Sequence, residues 1–439
     1  MIVMKFGGTS LGSADRIKNA CNIVKSRSKE KPVVVVSAVS GITNMLIELA
    51  NENNLEKRKE ILSRIKDKHL DILKNLNIES SLLKKNLNEL EDIVKKINDI
   101  DTKTFDLIQS FGERMSSKIV AEQLNQIGIK SQAFNSYDLG FLTDANFGSA
   151  EPLDVTYSNL KNKIDGIDAV PVITGFLGKT EDGQITTIGR GGSDFTASIV
   201  GAAISADEIQ IWTDVDGMMS TDPKLVENAK TIDKVSFAEA SELAYFGARV
   251  LHPKSILPAM RKNIPVRILN SLNPDHNGTA IQNKVEQNHS IVKAIAYKNN
   301  ITLINIQSTR MLGAHGFLAR LFGIFEKYNK SVDVISTSEV SVSMTIDNDD
   351  DLPKLVSDLE KISKVKVFDK KSIICVVGEG MRHAPGIPGR TFSVMGREKI
   401  NIDMISQGAS EINVTFVVDG HDSEKAVIAL HEEHFGDQE

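Results

Sequence analysis

Two glycine-rich segments, one turn-rich loop and one helix carry cations, hydroxyls and carboxylates at spacings suited to anion chemistry. Lys5-Phe6-Gly7-Gly8-Thr9-Ser10 closes an apolar run and precedes a helical pattern that starts near Ala14. Paired glycines let backbone amides approach an anion, a helix N-terminus favours negative charge, and Lys5 adds a point charge for phosphate oxygens. A tight turn with a solvent-facing lysine would read the same way alone. The spacing G-x-x-x-x-G-K-[ST] is absent. Thr187-Ile188-Gly189-Arg190-Gly191-Gly192-Ser193-Asp194 sets an arginine among three glycines before another helical run. A guanidinium fork suits a carboxylate. Helix capping accounts for Ser193 or Asp194 but not for Arg190. Trp212 to Lys224 mixes hydroxyls, carboxylates and a cation in a turn-rich loop, which fits a nucleotide contact or a plain loop. Glu113, within Ser110 to Ser117, gains interest only beside the other three.

These segments need a scaffold that places them at one edge. Met1 to Phe6, Pro32 to Ser37, Ala169 to Ile173, Glu208 to Trp212 and Val266 to Leu269 are short β-branched runs alternating with helical patterns. Such runs read as strands buried on both faces, hence an α/β sandwich with a mostly parallel sheet. Residues 51–104 differ: Leu62, Ile65, Leu70, Leu73 and Leu76 recur at helical spacing among Lys, Glu and Asn, which predicts an amphipathic helical insert with a solvated charged face.

The last third repeats itself. Gly316, Arg320, Phe322, Asp333, Ile335 and Ser336 recur 70 residues later as Gly386, Arg390, Phe392, Asp403, Ile405 and Ser406. Each copy reads as a small α+β βαββαβ unit, and such units pair side by side. We expect a first domain over 1–285 and a regulatory region over 290–439, with one unit over 307–378 and the other over 290–306 plus 379–439.

The 439 residues are too many for one ordinary domain. A formal charge of -6 gives no basic face for nucleic acid. No run approaches the roughly 18 apolar residues of a membrane span, and Cys21 and Cys375 form neither a disulfide framework nor a zinc cluster. A cytoplasmic protein is the expectation.

Taken in order, KFGGTS (5–10), SAVSGITN (37–44), GERMSS (112–117), TGFLG (174–178), GRGGSD (189–194), WTDVDG (212–217), TDPK (221–224) and VLHP (250–253) resemble the aspartokinases of the amino-acid-kinase family, across essentially the whole chain. The resemblance implies an amino-acid-kinase αβα sandwich and transfer of the γ-phosphoryl of ATP, with Mg²⁺, to the β-carboxylate of L-aspartate. A carboxylate with a pKa of about 3.9 needs no general base; two anions must instead be brought together by cations and amides. By the same resemblance Lys5 neutralises the phosphoryl group, Gly7 and Gly8 supply phosphate-facing amides, and Asp194 lies near the catalytic lysine. Glu113 reads the substrate ammonium, Arg190 its α-carboxylate, and Thr43 and Ser193 support them. Thr213, Asp214, Met219, Lys224 and Arg249 fall where relatives contact ATP. Relatives often carry lysine at the position of Arg249 and an aromatic residue at that of Met219. Mg²⁺ is expected on phosphates and waters, with no protein metal site. His252 reads as structural.

The repeats resemble ACT domains, ferredoxin-like amino-acid sensors. The first looks like the lysine-sensing type, which implies an effector site at Met311, Gly316, Phe317, Leu318, Ala319, Asp333, Thr337, Ser338 and Glu339. Threonine-sensing relatives share the scaffold. A homodimer or a dimer of dimers is implied. A glutamate or carbamate kinase does not explain KFGGTS with GERMSS and tandem ACT units, and a decayed, non-catalytic sensor does not explain Lys5, Glu113, Arg190 and Asp194 together.

Overall fold

Val33-Val34-Val35-Val36 offers no polar face to water, and the chain buries it at the centre of a sheet. The computed structural model describes residues 1–436 except 97–99, 248–250, 286–290, 309–310, 312–314, 383 and 409–411. It falls into two compact units, one of Met1–Met218, Asp233–Phe237 and Val250–Val285, the other of Met219–Ile232, Ala238–Arg249 and Glu286–Glu439. The sequence reading kept 1–285 together. The structure groups Met219–Ile232 and Ala238–Arg249 with the C-terminal unit, where the Ser220 carbonyl accepts from the Ile295 N–H (2.7 Å) and its hydroxyl meets His431 Nε2 (2.9 Å).

The first unit contains strands β1 (Ile2–Phe6), β2 (Pro32–Val36), β3 (Ser131–Phe134), β4 (Val170–Thr174), β5 (Leu177–Lys179), β6 (Ile185–Thr187), β7 (Glu208–Thr213), β8 (Lys234–Ser236), β9 (Val266–Asn270) and β10 (Thr279–Gln282). Eight form one sheet in the order β3-β4-β2-β1-β7-β9-β10-β8, while β5 and β6 make a separate hairpin. Neighbours run parallel except β9 and β10. The β9–β10 connection, residues 271–278, is too short for a helical crossover, so that pair turns back on itself. Helices Ala14–Ser26, Thr102–Gln126 and Gly192–Ile204 flank the sheet. The insert folds as helices Leu55–Asn75 and Ser81–Lys96, with Ile65, Leu73 and Leu76 buried as their spacing requires. Among the described residues no helix is long and apolar enough to cross a membrane.

The second unit has strands β11 (Ala294–Gln307), β12 (Ile335–Thr337), β13 (Ser341–Ile346), β14 (Lys364–Val377), β15 (Met404–Ser406) and β16 (Asn413–Asp419), all antiparallel, in the order β12-β13-β11-β14-β16-β15. Both long strands are shared between two cores. Ile304 and Ile306 pack with Leu321, Phe325, Met344 and Leu355, whereas Ile295, Ile374 and Val376 pack with Val394, Phe416 and Leu430. The register slips between Lys298 and Leu303, so the repeats divide within β11 rather than at the expected 306/307 boundary.

His69 of the insert is fully buried. Its Nδ1 meets the Ile65 carbonyl (2.8 Å), and Nε2 has no partner among the described residues. Burial lowers its pKa from 6.5 to about 4. The unfolded chain therefore binds a proton that the native state refuses, and stability is lost as pH falls from 6.5 towards 4. The full loss is about 3 kcal/mol. Urea midpoints at pH 7 and pH 5 should fall further for the wild type than for His69→Leu; equal falls would contradict this.

Candidate active site

The C-terminal ends of β4, β2, β1 and β7 lie side by side, and the loops leaving them are tied together. Gly175 N–H donates to the Val36 carbonyl (2.9 Å), Ser37 N–H to Phe6 (3.1 Å) and Gly7 N–H to Trp212 (3.1 Å). Ser10 Oγ is held by Ser271 Oγ (2.8 Å), whose own N–H donates to the Thr213 carbonyl (2.8 Å). Ligands of open parallel sheets bind in such a crevice. One expectation changes here: the Gly7 amide is spent on Trp212, so it is not a free phosphate donor.

Lys5, at the end of a wholly buried strand, reaches Asp194 Oδ1 at 2.5 Å. Both side chains are largely buried, 10% and 14% exposed, a setting in which each charge depends on the other. Asp194 does not cap its helix. The N-cap is Gly191, with φ 71° and no side-chain cap, which leaves the carboxylate for Lys5. Gly191 is also a close approach: a Cβ there would lie 2.7 Å from that of His252. His252 thus packs on the arginine loop, and its Nδ1 accepts from the Lys254 N–H (3.3 Å), in keeping with a structural role. Burial, then the Arg190 guanidinium, lowers its pKa. Arg190 itself is exposed, Ser193 is half-buried in the first turn of helix Gly192–Ile204, and Thr43 is half-buried in the first turn of helix Ile42–Asn51.

Glu113 is the most constrained member. It is 3% exposed, Oε1 accepts the Ala38 N–H at 3.0 Å, and Oε2 has no partner among the described residues. Burial pushes its pKa up to about 8. A carboxyl set this way leans towards its neutral form unless a cation comes close. Gly112 makes it possible, because a Cβ there would lie 2.6 Å from Ala38 Cβ. A glycine inside a helix was the signal in the sequence, and its neighbour Ala38 was missed. Lys68 was missed too: it leaves the insert's solvated face and donates to the Ser40 carbonyl (2.6 Å), bracing the loop before Thr43.

Thr213 Oγ1 donates to Asp214 Oδ1 (3.1 Å) at the end of β7. Met219 and Lys224 belong to the second unit, Met219 bridged to Thr231 and Lys224 exposed with its N–H on Asp222 Oδ1 (2.9 Å). Arg249 lies outside the described residues.

In the second unit Asp333 has a side chain only 2% exposed. Its Oδ1 accepts from Tyr245 Oη (2.7 Å) and Lys298 Nζ (3.2 Å), while Oδ2 is buried with no partner among the described residues. Lys298 also pairs with Asp347 (2.8 Å), and the second copy mirrors this with Lys371 on Asp403 (2.8 Å) and Asp419 (3.1 Å). Sequence reasoning missed Lys298, whose counterpart Lys371 would have shown it, and Tyr245, which no local pattern marks. Gly316 (φ 78°) opens helix Phe317–Lys327; Phe317 is buried, Leu318 and Ala319 are exposed, and Met311 is half-buried. Thr337, Ser338 and Glu339 lie exposed at the β12–β13 turn.

The model of the amino acid kinase family matches residues 1–270, and that of an ACT domain matches 374–434. Aspartokinase 1 of Arabidopsis thaliana is 41% identical over 99% of this chain and 80% of its own length. The chain belongs to the aspartokinases. Lysine-sensitive aspartokinase 3 of Escherichia coli is 37% identical over 99% of both chains. The structure of E. coli aspartokinase III with aspartate and ADP superimposes with a TM-score of 0.87 at 36% identity, covering 99% of this chain and 100% of that one. The enzyme is an aspartate kinase that uses ATP.

Gly112→Ala should lower kcat/KM for aspartate roughly ten- to a hundredfold. Ala38→Gly in the same chain should restore most of it by removing the clashing methyl. Wild-type kinetics in Gly112→Ala would show that this approach is not needed.

Proposed function

We propose that the cluster around Lys5, Glu113, Arg190 and Asp194 is the aspartate-phosphorylating site and that the first C-terminal repeat binds L-lysine as a feedback inhibitor. The observation that carries the first part is the buried, half-satisfied carboxyl of Glu113. The substrate ammonium completes it, while Arg190 takes the α-carboxylate with Thr43 and Ser193 beside it. The β-carboxylate, ionised without any base, attacks the γ-phosphorus of ATP in line, and ADP leaves. Lys5, kept in place by Asp194, neutralises charge on the transferred group, with Gly8 as the backbone partner there. Thr213 and Asp214 contact the nucleotide, and the resemblance adds Met219, Lys224 and Arg249 to that role.

No three His, Cys, Asp or Glu side chains converge among the described residues, and Lys5 occupies the Asp194 carboxylate. By the resemblance Mg²⁺ would sit on ATP phosphates and waters, with the protein supplying cations around it; the ion's part is to screen the phosphate charge. For regulation, Asp333 Oδ2, which has no partner among the described residues, suits an effector's side-chain ammonium, and the helix N-terminus at Phe317, Leu318 and Ala319 suits its carboxylate. Met311, Thr337, Ser338 and Glu339 complete the site. A homodimer, alone or paired, is the proposed assembly. The free, buried Cys21 and Cys375 fit a reducing, cytoplasmic location.

Hydroxamate trapping of the acyl phosphate, with Mg-ATP and L-aspartate and rising L-lysine, tests both parts. Product should form and decline with lysine, and Asp333→Asn should keep the product while losing the decline. Product indifferent to lysine would overturn the effector reading, and no product would overturn the site.

A further inference from the structure

Asp106 lies on the helix of Glu113, and the proposed chemistry gives it no task. It is fully buried, and its three acceptor contacts all leave the helix. Oδ2 accepts the N–H groups of Thr187 (2.7 Å) and Gly148 (2.9 Å), and Oδ1 accepts the Thr187 hydroxyl (2.9 Å). A buried carboxyl is tolerated only where such bonds are supplied, and here two separate segments supply them.

Thr187 ends β6, and Arg190 stands three residues later in a turn closed by Gly192 N–H on the Gly189 carbonyl (3.0 Å). Ala150 N–H donates to the Thr187 carbonyl (3.0 Å), so the segment around Gly148 is fastened at the same point. Seven residues are nearly two helical turns, which puts Asp106 and Glu113 on one face about 10 Å apart along the axis. Arg190 is exposed. Its reach is set by where its backbone starts.

We propose that Asp106 is a positioning residue for aspartate: it fastens the Arg190 loop to the helix that carries Glu113, setting the span between the readers of the α-carboxylate and the ammonium before substrate arrives. The inference rests on the proposed roles of Glu113 and Arg190. Hydrogen-bond geometry, not charge, does the fastening. Asparagine retains it, because its oxygen can accept both N–H groups while its NH₂ donates to a reversed Thr187 hydroxyl. Alanine loses all three bonds.

Steady-state kinetics of Asp106→Ala, Asp106→Asn, Thr187→Val and Arg190→Ala test this. Asp106→Ala should raise the KM for aspartate roughly ten- to a hundredfold, with the KM for ATP unchanged and kcat less affected. Asp106→Asn should recover most of that loss, and Thr187→Val should fall between. Joined to Arg190→Ala, Asp106→Ala should add little, since both act through one contact. Equal changes in both KM values, no change, or additive losses would overturn the role. If Asp106→Ala does not fold, Thr187→Val decides: a selective rise in aspartate KM supports the role and an unchanged value overturns it. An Arg190→Ala enzyme with normal aspartate KM would instead overturn the underlying site reading. A normal Arg190 effect with silent Asp106 and Thr187 variants would sink this inference alone.

Discussion

A charge removed from water must meet its partner before the reaction begins, and the catalytic unit is organised around that constraint. Lys5 and Asp194 form an ion pair at 2.5 Å. Glu113 is left half-satisfied, with one oxygen on Ala38 N–H and the other without a partner among the described residues. A carboxyl in that state leans towards its neutral form unless a cation arrives. In the proposed reading the substrate ammonium is that cation, so binding energy is drawn from a deficit built into the fold.

The surrounding structure follows from keeping these groups apart yet fixed. Parallel strands β4, β2, β1 and β7 end together, and main-chain bonds between their loops leave little freedom at the crevice floor. Gly112 lets a long helix press on the loop after β2, and Lys68 braces that loop from the insert. Phosphoryl transfer to an already ionised carboxylate asks for such preorganised charge and not for an acid–base pair.

Much of this was legible in the sequence because glycines, cations and carboxylates cluster in short motifs at strand ends, where few alternatives fit. The valine run announced a doubly buried strand, and the 70-residue repeat announced paired α+β units. What stayed hidden was set by distant partners. Tyr245 meets Asp333 across 88 positions, and Lys68 leaves a face that spacing marks as solvated. The Gly7 amide looked available until its bond to Trp212 was visible. The hairpin β5–β6 and strand β10, antiparallel to β9, were too short for periodicity to register. Stretches 219–232 and 238–249 follow the C-terminal unit through contacts such as Ser220 with His431, which no local pattern encodes.

The central claim is that Glu113 waits largely protonated and ionises when the substrate ammonium arrives. Calorimetric titration of L-aspartate at pH 7, in two buffers of different ionisation enthalpy, counts the protons released. With burial pushing the carboxyl up to about 8 in the free enzyme, most of a proton should be released per aspartate. It should vanish in Glu113→Gln. Heats independent of buffer in the wild type, or the same release from Glu113→Gln, would contradict the claim.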